Sequence, residues 1–449
     1  MKNLSIVAKV ALLLLIPLLS VAFYTVQNVR SSYLEWQSLA TTESLMELAI
    51  GMGNLTHDLQ IERGSTAGFI QSRGNKFAAD LPGYRANTDQ QLKALQAIYQ
   101  QTRQQGIPPQ LQQSIEATFT ALQQLPETRS AASAFGIPAA EASAYFTRTI
   151  ATLLGNIPAI TEQTSHLTLI KRMAGYLAFL QAKERTGQER ALLVPVFTAD
   201  IIEPAQFRAF IGHVSAQQSY LGIFNGYATD DLRTLMQQKN GNEIAATVES
   251  MRKTVMDKAA SGGFGIEPTS WFKAITDRIN DMRDVEIMLT QQIKSSASAL
   301  AQQARTTMLL NSAASLVTLT LTLALGWWIA HGIIRPINGL RNTIVAIERD
   351  RDLTRALEIH GNDEVAHAAQ AFNRLTASLR NSVANVGTSA GQVLARARLL
   401  DLAHSDLRDV SDRAIDSHVK NLRRKLEAAG VSGYALVAVY GVGYRLEVD

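Results

Sequence analysis

Two long apolar segments dominate the hydrophobic pattern of the chain. The first, Val10 to Val29, has 20 residues and no charged side chain, and about 20 apolar residues are needed to cross a bilayer core as a helix. The second, Thr306 to Ile334, has His331 as its one ionisable residue. The pattern predicts two transmembrane helices, one near the N-terminus and one in the second half of the chain.

Basic residues flank the outer end of each apolar segment. Lys2 and Lys9 precede the first segment, and Arg335 and Arg341 follow the second. Because flanking Lys and Arg residues favour the cytoplasmic side of a membrane, we expect a multi-pass inner-membrane protein with both termini in the cytoplasm. Residues 30–305 are then expected to lie outside this membrane.

A cleaved signal peptide is the alternative interpretation of the first segment. The small residues Ser20-Val21-Ala22 provide a weak cleavage cue. The apolar run continues beyond Ala22, and a second apolar segment follows. Both features favour an uncleaved anchor over residues 1–29.

The pattern of residues 30–305 is that of helices. Apolar residues recur at three- and four-residue spacing, as at Ile150, Leu153, Leu154 and Ile157, and this spacing places them on one face of a helix. Strand-like alternation is scarce. We expect an antiparallel helical bundle, with its last helix running directly into the second transmembrane segment. Gly- and Pro-containing stretches predict the breaks between its helices at residues 81–83, 106–109, 136–138 and 261–265.

Two further patterns follow the second apolar segment. Residues 335–384 predict two helices joined by a connector, and the apolar spacing of the second helix suits a parallel coiled coil. A linker is expected over residues 385–392. In residues 393–449, an amphipathic helix from Val410 to Leu426 precedes alternating residues that turn like a β-hairpin.

The fold class expected from these patterns is mostly α, with a small partial α+β tail. The predicted domains are an N-terminal anchor (1–29), an exported helical domain (30–305), a second transmembrane helix (306–334), a coiled-coil domain (335–384), a linker (385–392) and the α+β tail (393–449).

Composition narrows the range of functions. The chain has 449 residues, 43 Lys and Arg, 39 Asp and Glu, and no Cys. The absence of Cys excludes disulfides, thiolate metal sites and Cys nucleophiles. The sequence also lacks an HExxH pair, a serine elbow and a glycine-rich nucleotide loop. We expect no enzymatic activity, no cofactor and no metal site.

Two arginines in glycine-containing stretches are the candidate binding residues. Arg63 precedes Gly64 and Gly68, and Arg190 follows Gly187. Glycine weakens a helix interior and suggests close approach of backbones, while the Arg fork of donors matches small planar oxyanions. Converging arginines would form a pocket for a small anion. Alternatively, both arginines form ordinary ion pairs with Glu62, Glu184 or Glu189 on solvated faces.

Four motifs of the exported region follow one another along the chain. They are Glu62-Arg63-Gly64-Ser65-x-x-Gly68-Phe69, Arg85-x-x-Thr88-Asp89, Lys183-Glu184-x-x-Gly187-x-Glu189-Arg190-Ala191 and Phe264-Gly265-Ile266-Glu267-Pro268-x-x-Trp271-Phe272. In order and spacing these motifs resemble the nitrate- and nitrite-sensing (NIT) domain of bacterial receptors. The resemblance implies a periplasmic helical bundle that binds nitrate or nitrite through Arg63 and Arg190, with Gly64 and Gly68 allowing the helices to approach.

The segment just inside the second span resembles a HAMP domain. The features that carry this resemblance are Pro336, Asp363-Glu364 and Ala371-Phe372-Asn373. It implies a homodimeric four-helix bundle that converts movement of the membrane helices into a change of packing. A plain juxtamembrane coiled coil is the alternative.

The end of the chain resembles the C-terminal half of an OmpR/PhoB-type winged-helix DNA-binding domain. The family's leading β-sheet and first helix are missing from the pattern, so a fusion fragment without output activity is the alternative. The resemblance implies a positioning helix, a recognition helix and a wing. The residues at or near its DNA-contacting positions are Arg413, Lys420, Asn421, Arg424 and Arg445.

Together these features predict a homodimeric receptor that senses nitrate or nitrite in the periplasm and relays the signal through HAMP. Its output would be supplied by a separate cytoplasmic signalling protein. The alternative function is that of a membrane-tethered transcription regulator that binds DNA through its C-terminal segment.

Overall fold

The computed structural model describes residues 6–359, 361–389, 392–403, 413–430 and 434–448. The chain is 82% helical, which confirms the predicted fold class. Its helices are α1 (Ile6–Gln71), α2 (Leu81–Gln104), α3 (Pro109–Leu122), α4 (Leu125–Ser133), α5 (Ala139–Thr161), α6 (Leu167–Ala199), α7 (Pro204–Tyr227), α8 (Asp230–Asn240), α9 (Glu243–Asp257), α10 (Pro268–Asp350), α11 (Glu364–Ser389), α12 (Arg396–Ala403) and α13 (Arg413–Ala428). Its strands are β1 (Val393–Ala395), β2 (Tyr434–Val439) and β3 (Gly443–Val448).

The chain folds into two compact units. One unit comprises Phe23–Val317, and the other comprises Met1–Ala22 together with Thr318–Asp449. The first unit is a helical bundle with a long apolar core to which α1, α5, α6 and α10 all contribute. Phe146 and Phe179 are among its fully buried members, as the three- and four-residue spacing of the sequence requires.

Three of the four predicted breaks lie at gaps between helices, and the fourth, residues 81–83, forms the first turn of α2. Leu81-Pro82 opens α2, and Pro109 opens α3, because proline has no N–H to lose in the first turn of a helix. The Gly-rich stretch before α10 has positive φ angles at Gly262, Gly263 and Gly265. These are backbone conformations that glycine adopts without a steric penalty.

A smaller apolar cluster fixes the start of α10 against the end of α6. Asp200, the residue after α6, accepts hydrogen bonds from the backbone N–H groups of Phe264 (2.7 Å) and Gly265 (3.2 Å). The fully buried Trp271 packs edge-on against Phe197 and donates its indole N–H to the backbone carbonyl of Arg190. The first turns of α10 are thereby held beside the C-terminal half of α6.

Both predicted apolar segments lie within long helices. The most apolar windows of α1 and α10 have mean hydropathies of 2.1 and 1.7, and 0% and 6% of their residues are buried. Apolar surface left uncovered by protein on this scale is typical of a membrane-facing helix. As the sequence predicts, each helix continues without interruption between its apolar window and the bundle.

The C-terminal segment forms a three-stranded antiparallel sheet in the order β1-β3-β2. The predicted hairpin corresponds to β2 and β3, with Gly441 at positive φ in the turn. Strand β1 was not predicted, because three residues are too few to show alternation. Helix α13 is the predicted amphipathic helix from Arg413 onward; residues 410–412 lie outside the described residues.

Candidate functional site

Arg63 and Arg190 lie on facing helices, α1 and α6, and line one cavity of the bundle. The cavity has a volume of about 1140 Å³, and its wall includes Gly64, Gly68 and Phe272 as well as both arginines. Arg63 is 2% exposed and Arg190 is 4% exposed. The solvated-face alternative is therefore wrong for both side chains, because each guanidinium is buried between helices.

The charge of Arg63 is balanced inside the bundle. Its Nη1 lies 2.6 Å from Oε1 of Glu184, and its Nη2 lies 3.1 Å from Oε2, which is the bidentate geometry that an Arg fork offers a planar carboxylate. Nη1 also donates to the hydroxyl of Thr147 at 2.9 Å. The ion-pair alternative is thus correct for Arg63, with a buried partner.

Arg190 differs, because its partners are neutral. It donates to the hydroxyl of Thr276 (3.0 Å) and to the backbone carbonyl of Gln60 (3.1 Å), and its guanidinium lies 5.0 Å from the ring centroid of Phe272. Among the described residues no carboxylate forms an ion pair with it. Burial lowers the pKa of Arg190 to about 10, with the charge of Arg63 adding to this effect, so the side chain is still positive at neutral pH.

Two glycines make room for the two guanidinium groups in a reciprocal way. A Cβ at Gly64, beside Arg63 on α1, would lie 2.6 Å from Nη2 of Arg190. A Cβ at Gly187, on α6, would lie 2.8 Å from Nη2 of Arg63. Each helix therefore carries one arginine and the glycine that receives the arginine of the other helix.

The sequence suggests that Gly68 lies against a facing helix, whereas its neighbour in the structure is the ring of Phe77. A Cβ there would lie 2.4 Å from the ring of Phe77, which belongs to the loop between α1 and α2. Phe77 also packs edge-on against Phe272, at 5.3 Å between ring centroids. Gly68 thus admits an aromatic side chain at the cavity wall rather than a facing helix.

The other buried carboxylates near the cavity are paired with cations of their own. Glu62 accepts two hydrogen bonds from Arg129, at 2.7 and 2.8 Å. Glu189 accepts from Arg252 at 2.8 and 2.6 Å. Since Glu184 balances Arg63, and Lys76 and Glu267 of the cavity wall carry opposite charges, Arg190 leaves the cavity with a net positive charge. Such a site can bind a small planar oxyanion through charge-assisted hydrogen bonds.

A second buried polar cluster connects α1, α6 and α10. Lys183 on α6 pairs with Glu286 on α10, and Arg283 links Glu286 (2.7 Å) to the side chain of Asn54 on α1 (2.8 Å). Burial, reinforced by the nearby positive charges of Lys183 and Arg283, lowers the pKa of His57 to about 2. His57 is therefore neutral at physiological pH and adds no charge to the cluster.

Several residues of the cavity were not among the predicted site residues. Glu184 and Gly187 stand in the quoted motif but received no binding role. The sequence carries no signal for the neutral partners, because single Thr and Gln residues on separate helices have no spacing in common. These partners are Gln60, Thr147 and Thr276. Phe272 stands in the fourth quoted motif but was not predicted as a site residue.

The predicted DNA-contacting residues do not all share one environment. Lys420, Asn421 and Arg424 are exposed on α13, and Arg424 donates to Asn421 at 3.3 Å. Arg445 on β3 pairs with Glu447, so its charge is partly engaged within the sheet. Arg413 opens α13, and its side chain lies outside the described residues.

Comparison with known families identifies three regions. The family model for nitrate and nitrite sensing matches residues 54–294, which is more than half of the chain. The HAMP domain model matches residues 328–381, and the model of the C-terminal part of transcriptional regulatory proteins matches residues 387–446. These families and their order are those that the sequence motifs predict.

Individual relatives cover different parts of the chain. The nitrate regulatory protein of Klebsiella oxytoca is 26% identical over 273 residues, which are 61% of this chain and 68% of that protein. The transcriptional regulatory protein BaeR of Escherichia coli is 54% identical over 59 residues, which are 13% of this chain and 25% of BaeR. The solved structure of the NasR transcription antiterminator has a similar fold, with a TM-score of 0.57, 22% identity, and coverage of 80% of this chain and 97% of that one.

The ion pair between Glu62 and Arg129 provides a test of the charge balance around the cavity. Replacing Arg129 by Met leaves a fully buried carboxylate with only Arg85, 4.0 Å away. We expect the free energy of unfolding to fall by about 3 kcal/mol, measured by denaturation of the purified chain in detergent. The control is Lys273→Met, which removes a pair whose lysine side chain is 79% exposed and changes stability by less than about 1 kcal/mol. Equal effects of the two variants would contradict a buried role for Glu62.

Proposed function

Because the chain belongs to the nitrate and nitrite sensing family, we propose that it is a membrane receptor that binds nitrate or nitrite in the cavity between α1 and α6. The buried charge of Arg190, which no carboxylate of the described residues balances, is the observation that carries this proposal. A buried unpaired cation is costly, and a bound anion removes that cost. Arg63, Gly64 and Gly68 complete the proposed site.

The donors of the cavity suit a small trigonal anion. Nitrate and nitrite are planar, and their oxygens accept hydrogen bonds in the plane of a guanidinium fork. Phe272 beside Arg190 excludes water from one face of the guanidinium and strengthens its interaction with an anion. The family described for residues 54–294 and the name of the Klebsiella relative support the same ligand class.

The proposed topology follows from the two uninterrupted helices. Residues 30–305 would lie in the periplasm, with α1 and α10 crossing the inner membrane and both termini in the cytoplasm. Binding in the bundle would shift α1 relative to α10, because both helices contribute partners of Arg190. The HAMP region would pass this change to the output as a homodimer, without enzymatic chemistry in this chain.

Substitution of the arginines tests the site. In calorimetric titrations of the chain in lipid nanodiscs, we expect saturable heat with nitrate or nitrite and none with chloride or sulfate. Arg190→Ala and Arg63→Ala each remove a charge-assisted donor and are expected to weaken binding at least about thirtyfold. Arg233→Ala, which removes an arginine outside the cavity that pairs with Asp230, is the control. Unchanged affinity in both site variants would refute the assignment.

A second test uses the glycine that receives Arg190. In Gly64→Ala the added Cβ displaces the end of a flexible side chain rather than backbone, so the fold is retained while the guanidinium moves. We expect nitrate affinity to fall about tenfold, because a donor displaced by an ångström loses most of its hydrogen-bond geometry. The matched control is Gly155→Ala on α5, where a Cβ meets nothing within 4 Å. A loss of affinity in the control as well would show a general effect of helix glycines.

DNA binding is the second candidate function, favoured by the match of residues 387–446 to the C-terminal family of transcriptional regulators. The exposed Lys420, Asn421 and Arg424 on α13 would contact the duplex. In this version of the function the receptor is a membrane-tethered regulator, and Arg413 and Arg445 add contacts from the start of α13 and from the wing. Signalling through a separate cytoplasmic protein is the alternative output.

A gel-shift titration of the nanodisc-embedded chain with a mixed-sequence duplex tests this output. We expect salt-dependent binding, and we expect Lys420→Ala combined with Arg424→Ala to weaken it and to reduce its salt dependence. Arg233→Ala, which removes an arginine of the helical bundle, serves as the control. If the unmodified chain fails to bind the duplex at low salt, the output requires a separate protein.

A further inference from the structure

Glu184 is held in the site by more donors than a simple ion pair requires. Both guanidinium Nη atoms of Arg63 donate to it, at 2.6 and 3.1 Å. The side-chain amides of Gln60 and Gln188 each donate at 2.8 Å. The carboxylate therefore has four donors, and it lies almost wholly out of contact with solvent at 4% exposure.

The geometry of this carboxylate is that of the proposed ligand. A carboxylate and a nitrate ion each present two oxygens on one trigonal centre, with one negative charge, and both fit the same fork of donors. The fork of Arg63 cannot hold both anions at once. In this structure the carboxylate thus occupies the place on the Arg63 fork that a second oxyanion would take.

We propose that Glu184 is an internal competitor for the anion site, which leaves the fork of Arg63 when nitrate or nitrite binds and thereby sets the affinity of the receptor. This inference rests on the proposed function of the cavity. Arg190 attracts the external anion because its charge is unbalanced, and Glu184 opposes binding because it already satisfies Arg63. The affinity is the difference between these two interactions.

The competing carboxylate also connects the site to the packing of two helices. Gln60 lies on α1, and Gln188 lies on α6 with Glu184 itself. When the carboxylate leaves Arg63, the hydrogen bond from Gln60 across the helix interface breaks with it. Ligand binding thereby replaces one hydrogen bond between α1 and α6. The bound and unbound states of the receptor then differ in how these two helices pack.

Replacement of Glu184 by its neutral isostere tests the proposal. Glu184→Gln keeps the shape of the side chain and removes the competing charge, so we expect calorimetry to show nitrate binding tighter by about tenfold or more. Nitrate is also expected to raise the melting temperature of Glu184→Gln by more than that of the unmodified chain. The control is Glu116→Gln on α3, which removes a carboxylate outside the cavity that accepts hydrogen bonds from Tyr99 and Gln112; its nitrate affinity is expected to be unchanged.

Two further measurements cover the case in which Glu184→Gln does not fold. Gln188→Leu removes one donor that holds the carboxylate in place, and we expect nitrate to bind up to about tenfold tighter, as for loss of one hydrogen bond to an ionised carboxylate. In infrared difference spectra of the unmodified chain, nitrate is expected to shift a carboxylate stretching band. That shift is expected to be retained in Glu116→Gln.

The outcomes separate this inference from the function on which it rests. If Arg190→Ala abolishes binding while Glu184→Gln leaves the affinity unchanged or weaker, Glu184 is a structural partner of Arg63 and the competitor proposal is overturned alone. If Glu184→Gln binds nitrate and the unmodified chain does not, the competitor proposal is supported in its strongest form. If neither folded protein binds nitrate or nitrite, both proposals are overturned.

Discussion

The charge of a guanidinium buried between helices must be balanced, and this requirement organises the whole bundle. Burying an ion is costly unless a counter-charge or a set of hydrogen bonds accompanies it. Around the cavity the requirement is met pair by pair, with Glu62 against Arg129, Glu189 against Arg252 and Glu184 against Arg63. Among the described residues Arg190 has neutral partners only, and its charge marks the proposed anion site.

The same requirement explains the motif residues that do not touch the cavity. Arg85 and Asp89 stand together in the sequence, and the structure places both beside Arg129 on α4. This network fixes Glu62, the residue next to Arg63, so that its charge is satisfied on the far side of α1. The ion pairs outside the cavity thus neutralise their own carboxylates.

How much of the fold and of the site could be predicted depends on how far apart along the sequence the interacting residues lie. Helix positions follow from local spacing, so Ile150, Leu153 and Ile157 predict a buried face that the structure confirms. The placement of Arg63 and Arg190 in one cavity depends on the resemblance, because 127 residues separate them. Which arginine is paired could not be predicted, since Glu62, Glu184 and Glu189 are equivalent by type. Only their orientation around each helix decides it.

The position of Phe77 in the cavity wall could not be predicted either, because it depends on the conformation of a loop. Its φ of +67° is an uncommon conformation for a bulky residue, and no local pattern in the sequence announces it. The ring reaches Gly68 and Phe272 only because the loop between α1 and α2 bends back toward the bundle. A glycine in the motif is therefore explained by an aromatic residue nine positions later rather than by a neighbouring helix.

Two adjacent residues of α6, Lys183 and Glu184, connect the proposed site to the long helices α10 and α1. Successive side chains on a helix point about 100° apart, so Lys183 and Glu184 cannot face the same neighbour. Lys183 binds Glu286 of α10, while Glu184 binds Arg63 of α1. A carboxylate that leaves Arg63 removes one of these two connections and leaves the other intact. The bundle would then keep the contact of α6 with α10 and lose one of the contacts of α6 with α1. A change in one hydrogen-bonded pair would thereby act differently on the two helices that carry the apolar segments.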